Sequence, residues 1–309
     1  MLTNNTFTES NGKWTYSACP SCGSSDLLSI FYAKDYTVSQ ESFEILECQN
    51  CSLRFTQNIP SPSKIGPYYQ SEEYISHTNT NKGIVNQLYQ LVRNYTLGQK
   101  LKTVQKVSGL GKGRILDIGC GTGDFLGTMK NGGWDVLGLE PDDNARKMAV
   151  ENHGILAFPS DELFNLEDNS FDVISMWHVL EHVHELHKYL EKIRSLLKPS
   201  GTLLIAVPNY TSGDASHYQH EWAAYDVPRH LYHFSPTGME GLLNQHGFKL
   251  DKMKHMVFDS FYVSLLSEKY KSGKVKLIGG FLNGFSSFLK AMGKPENCSS
   301  VLYIFKKED

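Results

Sequence analysis

Four of the six cysteines come in two Cys-x-x-Cys pairs, Cys19 with Cys22 in CPSCGS and Cys48 with Cys51 in CQNC. Two such pairs let four thiolates meet one tetrahedral zinc ion. The proline and glycine beside Cys19 and Cys22 suit a tight knuckle that points backbone N–H groups at sulfur. With all four coordination positions filled by protein, a zinc here would be structural rather than catalytic. A pair of disulfides, or idle thiols, is the alternative. Cys120 and Cys298 stand alone.

A second constellation is the glycine run ILDIGCGTGD, residues 115–124, with Gly119, Gly121 and Gly123 around Cys120. Glycines at a strand-to-helix turn let the backbone approach a ligand without a Cβ in the way. The spacing is not that of a dinucleotide loop, whose third glycine would fall at Asp124. A pyrophosphate on the helix N-terminus is therefore not the expected ligand. A ligand with an amino-acid end fits better: free N–H groups meet its carboxylate, and Asp117 or loop carbonyls accept from its ammonium. Glu140 in GLEPD, followed by Pro141, closes the next strand, where an acid holds ribose hydroxyls in this architecture.

The third is a histidine-rich stretch, HYQHEWAAYDVPRHLYHFS, residues 217–235, which offers Glu221, His230 and His233 among others. Histidine with carboxylate is the usual means of removing a proton from an acceptor. The bland alternative is a polar loop packed on the sheet edge. Upstream, MWHVLEHV carries Trp177, His178 and His182, the two histidines at the i, i+4 spacing of one helix face.

The elements that must position these groups can be read from pattern. Strands are expected at Arg114–Ile118, Trp134–Glu140, Ile155–Phe158, Phe171–Trp177 and Gly201–Val207. Helices are expected between them at Phe125–Asn131, Asp143–Asn152 and Leu186–Leu197. This alternation predicts a doubly wound α/β parallel sheet covered on both faces. Ser235 followed by Pro236 predicts an N-cap and a helix to His246, closed by Gly247. Strands Phe248–Phe258 and Ser300–Lys306 follow, with an apolar, glycine-containing stretch, residues 261–292, between them. That stretch reads as a lid over an apolar acceptor, as a surface for a membrane or a second subunit, or as a packed hairpin. Residues 1–60 form a zinc-ribbon-like module built on a hairpin. Residues 61–110 form a linker with amphipathic helices, and residues 111–309 the ligand-binding domain.

ILDIGCGTGD, then GLEPD, then NSFDVISMWHVLEHV, in this order, resembles the class I S-adenosylmethionine-dependent methyltransferases. The resemblance implies a seven-stranded, Rossmann-like sheet with an antiparallel last strand, which VLYIFKK fits. It implies that Asp161, Glu162 and Leu163 in PSDELF flank the adenine, and that MWHVLEHV walls the substrate side. The cysteine pairs resemble the zinc-binding domain that precedes the methyltransferase domain in deoxysugar C-methyltransferases. RHLYHFS is similar to the EHLSYFS-like segment of those enzymes, which implies His230 as the base. Arg229 stands where that group has glutamate, and His233 where it has tyrosine. The same segment also resembles methyltransferases of the quinone-methylating type.

The chain has 309 residues with 30 Lys and Arg against 33 Asp and Glu. That balance gives no basic footprint for nucleic acid. No apolar run is long enough to span a membrane and the first residues lack a signal-peptide pattern, so a cytoplasmic protein is expected. The expected activity is methyl transfer from S-adenosylmethionine to a small-molecule, saccharide or lipid acceptor. The rivals are a methyltransferase on RNA or protein with the zinc module as binding arm, and a non-catalytic binding protein on the same fold.

Overall fold

The computed structural model describes residues 6–70, 84–273 and 294–308. The N-terminal part is all β: β1 (Phe7–Ser10), β2 (Lys13–Tyr16), β3 (Leu27–Lys34), β4 (Ser42–Cys48), β5 (Arg54–Thr56) and β6 (Ile59–Pro60). A long helix α1 (Ile84–Ser108) leads into β7 (Arg114–Ile118), α2 (Asp124–Asn131), β8 (Asp135–Leu139), α3 (Asp143–His153) and β9 (Ala157–Phe158). Then come β10 (Phe171–Trp177), α4 (Leu186–Leu196), β11 (Leu197–Pro208), α5 (Gly213–Tyr218), β12 (Tyr232–His233) and α6 (Pro236–Gln245). β13 (Phe248–His255), α7 (Val257–Ser272) and β14 (Ser300–Lys307) are the last of these elements among the described residues.

Seven strands make one sheet in the order β13-β14-β11-β10-β7-β8-β9. β7 to β11 run parallel, and β14 is antiparallel to both β11 and β13. This is the Rossmann-like sheet expected from the motifs. Successive connections leave β7 in opposite directions, so the crevice at the carboxyl ends of β7 and β10 is the topological switch point where ligands bind.

Local sequence explains the elements. Leu186, Leu190, Ile193 and Leu196 recur at helical spacing on α4 and are all buried against the sheet. Each contributes roughly 1.5–3 kcal/mol by leaving water. Ser235 caps α6 as expected: its Oγ accepts from the Gly238 N–H at 3.0 Å, with Pro236 in the first turn. Several boundaries differ: the strand expected from Gly201 already begins at Leu197, where the preceding helix is expected to end, and the helix expected to reach His246 stops at Gln245. The strand expected to reach Phe258 stops at His255, and Val257 already begins α7. β-branched and aromatic residues there look strand-like in isolation.

β12, from the far end of the chain, pairs with β5, so the module's sheet runs β12-β5-β4-β3. One continuous core contains Tyr16, Leu53 and Phe55 of the module together with Leu203 of the larger sheet and Leu190, Phe234 and Met239 from the helices and loop packed on it. The stretch 261–292 falls mostly outside the described residues; its first part belongs to α7. Among the described residues, no helix is long and apolar enough to cross a membrane.

Candidate active site and cysteine centre

The glycine turn leaves β7 and enters α2. Gly119 has φ 75°, and a Cβ there would stand 2.3 Å from Val179 Cγ2. Gly121 has φ 54°, yet a Cβ there would meet nothing within 4 Å. Its free face is the room a ligand needs. Gly123, also left-handed, is the N-cap of α2. Glu140 ties the turn to the next strand: Oε2 accepts from the Gly121 N–H at 2.9 Å and Oε1 from the Asp142 N–H at 3.0 Å. Burial raises its carboxyl above the ordinary value against those two N–H groups. Pro141 beside it is exposed.

Asp117 is buried and accepts from Ser175 Oγ at 2.6 Å. Burial pushes its carboxyl up to about 7, against the hydrogen bond from Ser175 and the charge of Lys100. Lys100, on α1, holds its Nζ 3.8 Å from the centre of the Trp177 ring. No motif had singled out Lys100, since it precedes the glycine turn on a separate helix. Trp177 also meets Phe125 edge to face, and its Nε1 is buried with no hydrogen-bond partner among the described residues. Cys120 is buried, and burial raises its thiol to about 12, so it is a packing residue rather than a nucleophile. Beyond β9, the turn Ser160–Asn165 leaves Asp161 exposed and Glu162 half-buried while Leu163 enters the core.

The histidines at 178 and 182 do not share a helix face. His178 has φ 58° and Leu180–His182 is a single 3-10 turn. An i, i+4 spacing cannot distinguish a helix from a bend of this kind. The bend brings Glu181, His182 and His230 together: one nitrogen or oxygen atom of each lies within 4.8 Å of the others. The Glu181 side chain is fully buried, with Oε1 3.4 Å from His178 Nδ1. Burial alone would raise its carboxyl, but His178, His230 and His182 outweigh it and hold it below its ordinary value.

His182 Nδ1 lies 2.9 Å from the Arg229 carbonyl and 3.0 Å from Tyr69 Oη. A carbonyl only accepts, so Nδ1 carries the proton and Nε2 is open. Burial, then the nearby His230, lowers its pKa to about 4, so the ring is neutral near pH 7. His230 Nδ1 donates to the Ala224 carbonyl at 2.8 Å, which leaves its Nε2 open as well. Its ring meets His182 edge to face with centroids 4.6 Å apart. Tyr69 is a second residue that sequence reasoning missed, because only the fold brings it beside His182.

Two other candidates stand apart from this cluster. His233 is buried, and its Nε2 faces Thr56 Oγ1 at 3.1 Å. Thr56 Oγ1 donates to the His230 carbonyl, so it must accept from His233. Burial drives the His233 pKa well below its ordinary value. That ring ties the loop to β5 through Thr56. Glu221 sits on the turn Gln219–Glu221, on the side that faces Tyr36.

In the module, Cys19 Sγ lies 3.6 Å from Cys51 Sγ and Cys22 Sγ 3.5 Å from Cys48 Sγ. No disulfide links them. All four sulfurs lie within 4.8 Å of one another. Four ligands at about 2.3 Å from a tetrahedral zinc are about 3.8 Å apart, so the spacing fits the ion. The Ser21 N–H points at Cys19 Sγ, as a thiolate requires.

Residues 89–253 match the family model described as "Methyltransferase domain". The chain is similar to ubiquinone biosynthesis O-methyltransferases. It is 33% identical to that of Actinobacillus pleuropneumoniae over 118 residues, covering 35% of this chain and 50% of the relative. It is 25% identical to that of Rickettsia bellii over 206 residues, covering 60% and 83%. The chain thus spans half the length of the first of these relatives and most of the second. Among solved structures, a SAM-dependent methyltransferase from Archaeoglobus fulgidus aligns at 21% identity and TM-score 0.48, over 70% of this chain and 94% of that one. Phosphoethanolamine N-methyltransferase 2 of Haemonchus contortus aligns at 19% and 0.48, over 69% and 53%. With the family model covering more than half of the chain, and the glycine turn, acid and sheet order in place, the chain belongs to the methyltransferase domain family, as a class I S-adenosylmethionine-dependent methyltransferase.

Proposed function

We propose that the chain transfers a methyl group from S-adenosylmethionine to a small-molecule, saccharide or lipid acceptor, with His230 as general base. The observation that carries this is the contact between two halves of the crevice. Val179 packs on Gly119, and three residues later the same bend presents His182 to His230. The cofactor turn and the two histidines are therefore held by one short segment. The relatives' name, O-methyltransferase of ubiquinone biosynthesis, supports a small acceptor methylated on oxygen.

S-adenosylmethionine, when bound, supplies an electrophilic methyl on sulfur. Glu140 would accept from the ribose hydroxyls, and the open face of Gly121 admits the ligand to the backbone. Asp117, with Lys100 close by, lies where the amino-acid end is expected. Leu163, Glu162 and Asp161 line the adenine side in this reading. Trp177 and His178 form the wall toward the acceptor, and the fixed geometry positions the acceptor atom and excludes water. His230 takes the acceptor's proton at Nε2 while its Nδ1–H remains on Ala224. His182 and Tyr69 lie beside it to orient the acceptor hydroxyl. The four module cysteines would hold one structural zinc.

Calorimetry tests the cofactor half. S-adenosylhomocysteine should bind, and Glu140→Ala should weaken it about tenfold or more, since hydrogen bonds to a charged group contribute roughly 1.5–3 kcal/mol. Unchanged affinity would remove Glu140 from the site. A thermal-shift screen of hydroxylated aromatics, sugars and lipids in the presence of S-adenosylhomocysteine would then select the acceptor.

A further inference from the structure

A buried ion cluster stands directly behind His230, and one member comes from the cysteine module. Arg229 is 2% exposed. Its Nε donates to Asp226 Oδ2 at 3.0 Å, and its Nη2 donates to Asp226 Oδ1 at 2.7 Å and to Asp35 Oδ1 at 3.0 Å. Its Nη1 donates to the Tyr68 carbonyl at 2.8 Å. Asp35 is fixed in turn by the N–H groups of Thr37, Val38 and Ser39 and by the hydroxyls of Thr37 and Ser39. Burial alone would raise both carboxyls. At Asp35 the Ser39 N–H and Arg229 outweigh it, and at Asp226 Arg229 does, so both stay ionised.

One cation therefore meets two anions in a place with little water to screen the excess. Asp226 Oδ2 lies 4.0 Å from His230 Nε2, the nitrogen that is open to a proton. A positive ring at His230 brings these four groups to two charges of each sign. If Asp35 were neutral, Arg229 and Asp226 would cancel each other and the positive ring would keep Glu181 alone as counter-charge. The other titratable groups near His230 are Glu181, His182 and His233, all on the methyltransferase side.

We propose that Asp35 is a positioning residue for His230: through Arg229 and Asp226 it sets the second negative charge that favours the ring's protonated form. The module thereby takes part in the acid–base chemistry and is more than a tether. This rests on the reading of His230 as base, but its test needs neither cofactor nor acceptor.

The experiment is nitrogen NMR of the zinc-loaded full chain with labelled histidine, titrated without ligand. Asp35→Asn, whose amide oxygen can still accept from the Thr37 and Val38 N–H groups, should lower the His230 midpoint by about one pH unit, a tenfold loss of proton affinity. Asp35→Glu should recover most of it. Arg229→Gln, which removes the cation, should move the midpoint upward. Loosened folding would shift both variants the same way, so opposite signs separate the charge effect from instability. Glu47→Gln, which breaks a different ion pair of the module, should leave His230 unmoved. A midpoint unchanged in Asp35→Asn, or moved in the same direction by Asp35→Asn and Arg229→Gln, would overturn the proposal. A failure of S-adenosylhomocysteine to bind would instead strike the methyl-transfer reading.

Discussion

The histidines differ in which nitrogen the fold has already taken. His182 and His230 both commit Nδ1 to a backbone carbonyl and leave Nε2 open, whereas His233 commits Nε2 to Thr56. Sequence alone could not separate them, since the tautomer of each ring is decided by the partner the fold brings to it and not by its neighbours in the chain. The same burial makes a prediction about acid. Burial, then a neighbouring histidine in each case, holds His182 and His246 near 4, below the ordinary 6.5. In that window the unfolded chain binds more protons than the folded one, so stability rises with pH. It is complete above about 6.5 and is lost as pH falls toward 4, by roughly 1–3 kcal/mol for His182 and by less for the half-buried His246. Asp117 opposes this, because its carboxyl is raised to about 7 and is favoured protonated in the folded state, and the raised Glu140 carboxyl acts in the same direction. They are outweighed by several groups, since His184 and His233 are lowered too. Thermal unfolding should therefore show the melting temperature dropping between pH 6.5 and 4. A flat profile across that range would mean the rings are not buried as described.

At the scale of elements, the sheet was legible because its strands are buried runs separated by amphipathic helices, a pattern that each segment carries by itself. The glycine turn and Glu140 were legible for the same reason: both lie at the ends of such strands. What was not legible is the two-residue strand β12. Its pairing with β5 joins residues far apart in sequence, and two residues carry no periodicity. Yet this pairing fixes the histidine loop. Thr56 on β5 donates to the His230 carbonyl at 2.7 Å and accepts from His233, and its N–H donates to the Leu231 carbonyl at 2.9 Å. Thr56→Val keeps the shape and removes the hydroxyl, which leaves a buried carbonyl and a buried ring N–H without their partner. The expected cost is about 1–3 kcal/mol, read by urea unfolding at neutral pH. A variant as stable as the parent would show that the loop is held by packing alone.

For the whole molecule, the question is whether the cysteine centre is a separable unit. Residues on both sides of it argue against separation. Cys19 and Cys48 are buried in the same core as Leu203 and Phe248 of the larger sheet and Leu196 of α4. His187 on α4 donates to the Pro20 carbonyl within the first knuckle at 2.9 Å, and Tyr210 Oη donates to the Ser52 carbonyl in the second knuckle's turn at 2.6 Å. Arg54 donates to Tyr225 Oη and lies over the Tyr210 ring. If the four thiolates hold zinc, the ion's binding free energy is folding free energy for everything that shares this core. Elemental analysis of protein purified without chelator should then find about one zinc per chain, the count for a single four-cysteine site. Removing it with a strong chelator under reducing conditions should lower the melting temperature of the entire chain in a single calorimetric transition. The affinity for S-adenosylhomocysteine should weaken along that same transition, because the loop carrying His230 and the sheet carrying Glu140 lose a common support. Two transitions, the smaller one alone responding to the chelator and the larger one keeping full cofactor affinity, would show instead that the knuckles fold and unfold by themselves.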